Sequence, residues 1–134
     1  MTFAFTAQEE VGTRGAFAAA FSVTPEVALV LETTTAADSP AVEEHRKVCV
    51  PGKGPVISYM DGGTIYDRGL FEDLRCLAED NGIPWQTKEY LAGGNDARTI
   101  QRTKQGYGWR LSLPRCATST PRPAWAVFPI LRTC

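Results

Sequence analysis

The chain has 134 residues, the length of one domain, with 14 Lys and Arg against 15 Asp and Glu and a formal net charge of −1. That balance, with no basic stripe, argues against a nucleic-acid partner. No apolar run approaches the roughly 20 residues needed to span a bilayer, which argues against a membrane protein. Residues 1–5 lack the basic start of a secretion signal. Cys49, Cys76, Cys116 and Cys134 contain no C-x-x-C pair, so they read as free thiols in a reducing cytoplasm.

The elements expected in chain order are mostly short. Residues 3–6 are apolar between polar neighbours and read as a strand. Residues 14–21 are rich in Ala and Phe and suit a helix buried on one side. Residues 27–31, V-A-L-V-L, form a continuous apolar run that suits a buried strand. Residues 33–55 hold Pro40, Pro51, Gly52, Gly54 and Pro55 and read as a long excursion with turns. Residues 56–60 are a further strand. Residues 67–81 have the strongest helical pattern, with Leu70, Phe71, Leu74, Leu77 and Ala78 on one face, Asp67 placed to cap the start and Gly82 to end it.

Residues 85–91 alternate weakly as a strand. Gly93-Gly94-Asn95-Asp96 is a turn opening a helix that runs to Gly106, with Asn95 or Asp96 as its cap, and residues 109–113 alternate as a strand. Strand and helix in alternation predict an α/β fold with helices covering a sheet. After residue 115 the pattern stops, with Pro121, Pro123 and Pro129 in a stretch of no period.

Chemistry is suggested first by Gln8-Glu9-Glu10-Val11-Gly12, directly after the first strand. Two adjacent carboxylates repel, and a cation between or beside them relieves the repulsion. In a loop their side chains can diverge, one binding a metal and the other handling the proton of a water. A solvated acidic turn is the plainer alternative for such a pair. Glu32 follows the apolar run, at the strand end where α/β proteins place ligands, or as a simple polar terminus. His45 is the only histidine. It follows Glu43 and Glu44, but three consecutive residues rarely converge on one ion, so it is not expected to be a ligand. Gly93-Gly94-Asn95-Asp96 could also cradle an anion, though it is equally an ordinary turn and cap. Gly52-Lys53-Gly54-Pro55 lacks the spacing of a phosphate-binding loop.

Five segments in order, F-T-A-Q-E-E-V-G-T-R-G-A, A-L-V-L-E-T-T-T-A-A-D-S-P, G-K-G-P-V-I-S-Y-M-D, T-I-Y-D-R-G-L-F and A-G-G-N-D-A, resemble the glutamyl-aminopeptidase-like metallopeptidases of peptidase family M forty-two. Some relatives carry the labels deblocking aminopeptidase, endoglucanase or cellulase. The resemblance implies part of a three-layer αβα catalytic domain with a mixed sheet. It also implies two divalent metal ions (zinc, cobalt or manganese), peptide substrates shortened from the N-terminus, and homo-oligomers. Carried across, Glu9 matches the general base and Glu10 a metal ligand. Glu32 matches a ligand that is Asp in many relatives.

The resemblance further implies ligands that this sequence does not show. An early His, a metal-bridging Asp and a small assembly domain fall upstream of Met1. A late His belongs to a segment Arg-Tyr-Ile-His-Ser-Pro, expected just after Pro114. Here the chain reads Arg115-Cys116-Ala117-Thr118-Ser119-Thr120-Pro121. Were residues 116–122 encoded TGC GCT ACA TCC ACT CCC CGT, reading two bases later would spell Arg-Tyr-Ile-His-Ser-Pro. The expectation is therefore residues 1–114 as the C-terminal portion of the catalytic domain and residues 115–134 as a tail from a shifted reading frame. Such a fragment is expected to bind metal weakly or not at all and to be inactive alone; an inert remnant or interaction module is the alternative.

Overall fold

The structure, a computed structural model, describes residues 1–91, 93–104 and 111–117. The expected first strand does not form: residues 3–6 are irregular, with Phe3 75% and Phe5 100% exposed. Among the described residues this segment pairs with no strand.

Helix α1 spans Arg14–Val23. Its inner face is alanine: Ala16 and Ala20, one turn apart, are both buried, which lets a neighbouring backbone approach closely. Phe17 and Phe21 stack on the outer face with ring centroids 6.3 Å apart.

The apolar run 27–31 becomes β1 (Ala28–Leu29), and the chain continues as β2 (Glu32–Thr34). After a single 3-10 turn at Glu44–Arg46 comes β3 (Val56–Ser58), then α2 (Arg68–Asp80), the short α3 (Ala97–Ile100) and β4 (Leu111–Ala117). Strand β4 lies between the others. β1 and β2 pair with it in parallel, Ala28 opposite Leu111 and Glu32 opposite Arg115, while β3 pairs antiparallel, Ile57 opposite Pro114. The sheet is mixed and the fold is α/β.

The registers of β1 and β2 on β4 are the same, so the two are one strand with a break at residues 30–31. Continuing that register sets the break opposite Leu113 and Pro114. Proline has no N–H to give a ladder, and it is poorly placed in a central strand. On the other side, Ile57 donates its N–H to Gln86 O at 2.8 Å, away from β4, so Pro114 is not needed as an acceptor's partner there. Glu32 is accordingly not the end of a strand, as expected, but the first residue after an interruption.

Pairing through Cys116 and Ala117 also corrects the expectation that no regular element extends past Arg115. A ladder uses backbone groups, and neither Cys nor Ala opposes it. Residues 118–134 lie outside the described residues, as do Trp109 and Arg110 of the expected last strand and residues 105–106 of the helix expected after the glycine turn. That helix is shorter than expected, ending at Ile100.

Helix α2 matches its sequence pattern. Asp67 Oδ1 accepts the Leu70 N–H at 2.7 Å, and Gly82 takes φ +62° after the Asn81 cap. Replacing Asp67 by Ala is expected to cost about 1 kcal/mol, read from a denaturant midpoint shift. The helix packs on β3 and β4, burying Ala78, with Phe71 edge-on to Tyr59 at 5.8 Å and to Trp85 at 6.4 Å. The excursion at 33–55 is held down rather than loose. Ala36, Val48, Cys49 and Val56 form one core cluster, and the Gln86 side chain bonds Val50 N–H, Val50 O and Gly54 O at 2.8–2.9 Å. The weak strand expected at 85–91 reduces to that single residue, bridged to Val56. Cys49 is buried and Cys76 exposed, neither in a disulfide among the described residues.

Candidate functional site

The Glu-Glu motif forms a closed turn on the start of α1. Glu9 O accepts the N–H groups of Gly12 at 3.0 Å and Thr13 at 2.9 Å, and Ala7 O accepts that of Gly15 at 3.0 Å. Gln8 and Thr13 carry the left-handed backbone that closes the turn, φ 63° and 53°. Gly15 has to be glycine here, because a Cβ would sit 2.5 Å from the Ala7 carbonyl oxygen. Gly15→Ala is expected to push the turn off the helix and to cost about 2 kcal/mol, an overpacking cost measurable by chemical denaturation.

Both flanks of the turn are tied to the α3 region. Thr6 Oγ1 donates to Asp96 Oδ2 at 2.6 Å, and the hydroxyls of Thr13 and Thr99 are hydrogen-bonded to each other. Asp96 is buried beside Asn95, whose Nδ2 donates to Asp61 Oδ2 at 2.6 Å and to Tyr66 Oη at 2.8 Å. Tyr66 Oη donates to the same Asp61 carboxylate. Asn95 Oδ1 accepts the Ala97 N–H at 2.7 Å and so opens α3, while Asp96 makes no side-chain cap bond. The glycine turn is therefore an anchor for the acidic turn rather than an anion cradle: its polar side chains face a buried network, and Asp96 brings negative charge.

Glu10 and Glu32 line one cleft of about 510 Å³, whose remaining wall is residues 33–39. Glu10 is exposed, Glu32 half-buried with its Oε2 sealed from solvent. Glu9 is half-buried in the turn and does not line that cleft. The two motifs thus meet, but by a turn and the interior of an interrupted strand, not by two neighbouring strand ends. The sequence reading missed Asp38, which lines the same cleft and lies 3.8 Å from the Lys47 amine. Its signal is the acid in T-T-T-A-A-D-S-P. Lys47 bonds Glu44 at 2.5 Å, and that hydrogen bond raises its pKa above the ordinary value, against a smaller lowering by burial. His45 sits on the exposed 3-10 turn beside Glu43, 3.5 Å away, and does not line the cleft.

Carboxylates suit a hard or borderline divalent ion, but a site usually takes three or four protein donors. Among the described residues no group of three or more His, Cys, Asp or Glu is placed to hold one ion. The cleft is right in donor type and short in donor number, so these residues do not by themselves fit a two-metal centre.

The family model for M42 glutamyl aminopeptidases matches residues 1–114. The chain belongs to the M42 glutamyl aminopeptidase family. An Acetivibrio thermocellus relative named "Putative aminopeptidase" is 38% identical over 119 residues, 89% of this chain and 34% of that protein. Among solved structures, an aminopeptidase from Desulfurococcus kamchatkensis is similar at 34% identity and TM-score 0.76, over 84% of this chain and 32% of the other. The TET1 peptidase of Pyrococcus horikoshii, described as assembling into a tetrahedron or a large octahedral shell, is similar at 30% identity and TM-score 0.64, over 84% and 31%. This M42 chain spans about a third of the length of the relatives it matches. No helix among its described residues is long and apolar enough to cross a membrane.

Proposed function

We propose that this chain contributes to the catalytic centre of a metal-dependent aminopeptidase in the cytoplasm, one that releases N-terminal residues from peptides. The observation that carries the reading is the shared cleft of Glu10 and Glu32, in a chain that the M42 family covers from residue 1 to 114. Glu10 and Glu32 are the metal-binding carboxylates. Glu9, held by the turn two carbonyl bonds deep, is the base that takes a proton from the water attacking the peptide carbonyl. Divalent ions, when bound, supply positive charge to the carbonyl oxygen. The Pyrococcus horikoshii TET1 peptidase is described as assembling into a tetrahedron or a large octahedral shell, and homo-oligomers are proposed for this protein on that likeness.

Among its described residues the 134-residue polypeptide groups too few donors to place those ions, and it is expected not to hydrolyse aminoacyl amides with zinc, cobalt or manganese added. Residues 115–134 are proposed to be read in a shifted frame, which the nucleotide sequence around Cys116 decides. The functional test is a chimera in which residues 1–114 replace the matching third of an active M42 relative. Chelator-sensitive turnover by the chimera, and none by the 134-residue chain, is the expected pair of results. Turnover by the 134-residue chain that a chelator removes would refute the inactive reading. A folded chimera without turnover would refute the catalytic one.

A further inference from the structure

A second cleft, of about 500 Å³, shares no lining residue with the first. It lies where the loop 61–65 meets the end of α3. Arg98, on α3, and Arg102, in the turn just after it, are both exposed on the cleft wall. Among the described residues neither forms an ion pair. The stem of Arg98 lies flat on Gly63, where a Cβ would come within 2.5 Å of its Cδ, so the base of this side chain is fixed. Gln101 Nε2 donates to Gly63 O at 3.0 Å and fastens the loop to α3.

One negative group lines the cleft. Asp61 accepts from Gly63 N–H at 2.7 Å, from Asn95 Nδ2 at 2.6 Å and from Tyr66 Oη, so both its oxygens already serve the buried network. Two guanidinium groups against that one carboxylate leave the cleft positive. The independent sign of a ligand is Thr64. It is 4% exposed on the same wall, and among the described residues its buried Oγ1 has no hydrogen-bond partner. A buried hydroxyl without a partner is an uncommon and unfavourable state.

We propose that this cleft binds a small oxyanion, a phosphate or carboxylate group gripped by Arg98 and Arg102 with Thr64 Oγ1 as a further donor. Arginine's planar fork suits both groups. Thr64 Oγ1 is sealed from solvent, so a rotamer change of Thr64 brings it to the anion, and the far ends of the two exposed arginines close on it while the Arg98 stem stays on Gly63. This site does not depend on the metal reading of the first cleft.

The test is calorimetric titration of the 134-residue chain at low ionic strength, with inorganic phosphate in one arm and acetate in the other. Saturable binding in either arm supports the site, and the tighter arm identifies the source of the anion. Arg98→Gln and Arg102→Gln should each weaken binding about tenfold or more, and Thr64→Val about threefold or more, with circular dichroism unchanged. Sodium chloride at about 0.5 M should weaken binding by screening but not compete stoichiometrically. Should Arg98→Gln fail to fold, Arg98→Lys keeps the stem on Gly63, and Arg102→Gln gives the charge effect independently. No saturable binding, affinity unchanged in both arginine variants, or chloride binding as tightly as phosphate would overturn the proposal.

Discussion

Replacing Asp61 by Ala is expected to destabilise the folded chain by about 3 kcal/mol, among the larger effects of a single substitution. The carboxylate is 4% exposed and collects three donors: the Gly63 N–H, the Asn95 amide and the Tyr66 hydroxyl. Removing it strands those donors in a site with little access to water, and stranded buried donors cost more than the net worth of the bonds they made. The effect reaches the functional turn as well, since Asn95 opens α3 and Asp96 beside it holds Thr6. Urea denaturation of the two proteins measures the difference. Asp61→Asn keeps the acceptor geometry on one side only and should fall between them. A loss below about 1 kcal/mol in Asp61→Ala would show that the network is not structural.

In the active chimera, Glu9→Gln is expected to lower kcat by a hundredfold to ten-thousandfold, the usual contribution of a positioned base. The substitution keeps the side chain's size, and the turn's closing bonds use the Glu9 backbone carbonyl, so the fold should be unaffected. KM should change little, because the base acts on the transition state rather than on substrate binding. Rate against pH over the acid limb, with thermal unfolding as control, distinguishes a lost base from a loosened turn. A kcat within about threefold of the parent would remove Glu9 from the chemistry.

Helix α2 was legible because every level agrees: an apolar face, a capping acid at 67 and a glycine at 82. The acidic turn was legible in composition but not in conformation. Its closure rests on left-handed backbone at Gln8 and Thr13, residues that do not announce it, and on bonds to Asp96 and Thr99 far along the chain. The apolar run 27–31 announced a strand, yet its continuation through Glu32 depends on where Pro114 interrupts the neighbouring ladder. Residues 3–6 had strand-like composition and no partner among the described residues, and composition cannot supply an edge. The arginine cleft is invisible to periodicity because it joins a loop and a helix end brought together only by folding.

The central claim is that Glu10 and Glu32 serve one metal centre, and metal affinity in the chimera tests it most directly. Equilibrium dialysis against cobalt or zinc would compare the parent with Glu10→Ala, Glu32→Ala and the double variant. Each single change should weaken uptake about tenfold or more, and the double variant should fall short of the sum, because ligands of one ion act together. Uptake and turnover both unchanged in Glu10→Ala and in Glu32→Ala would contradict the assignment.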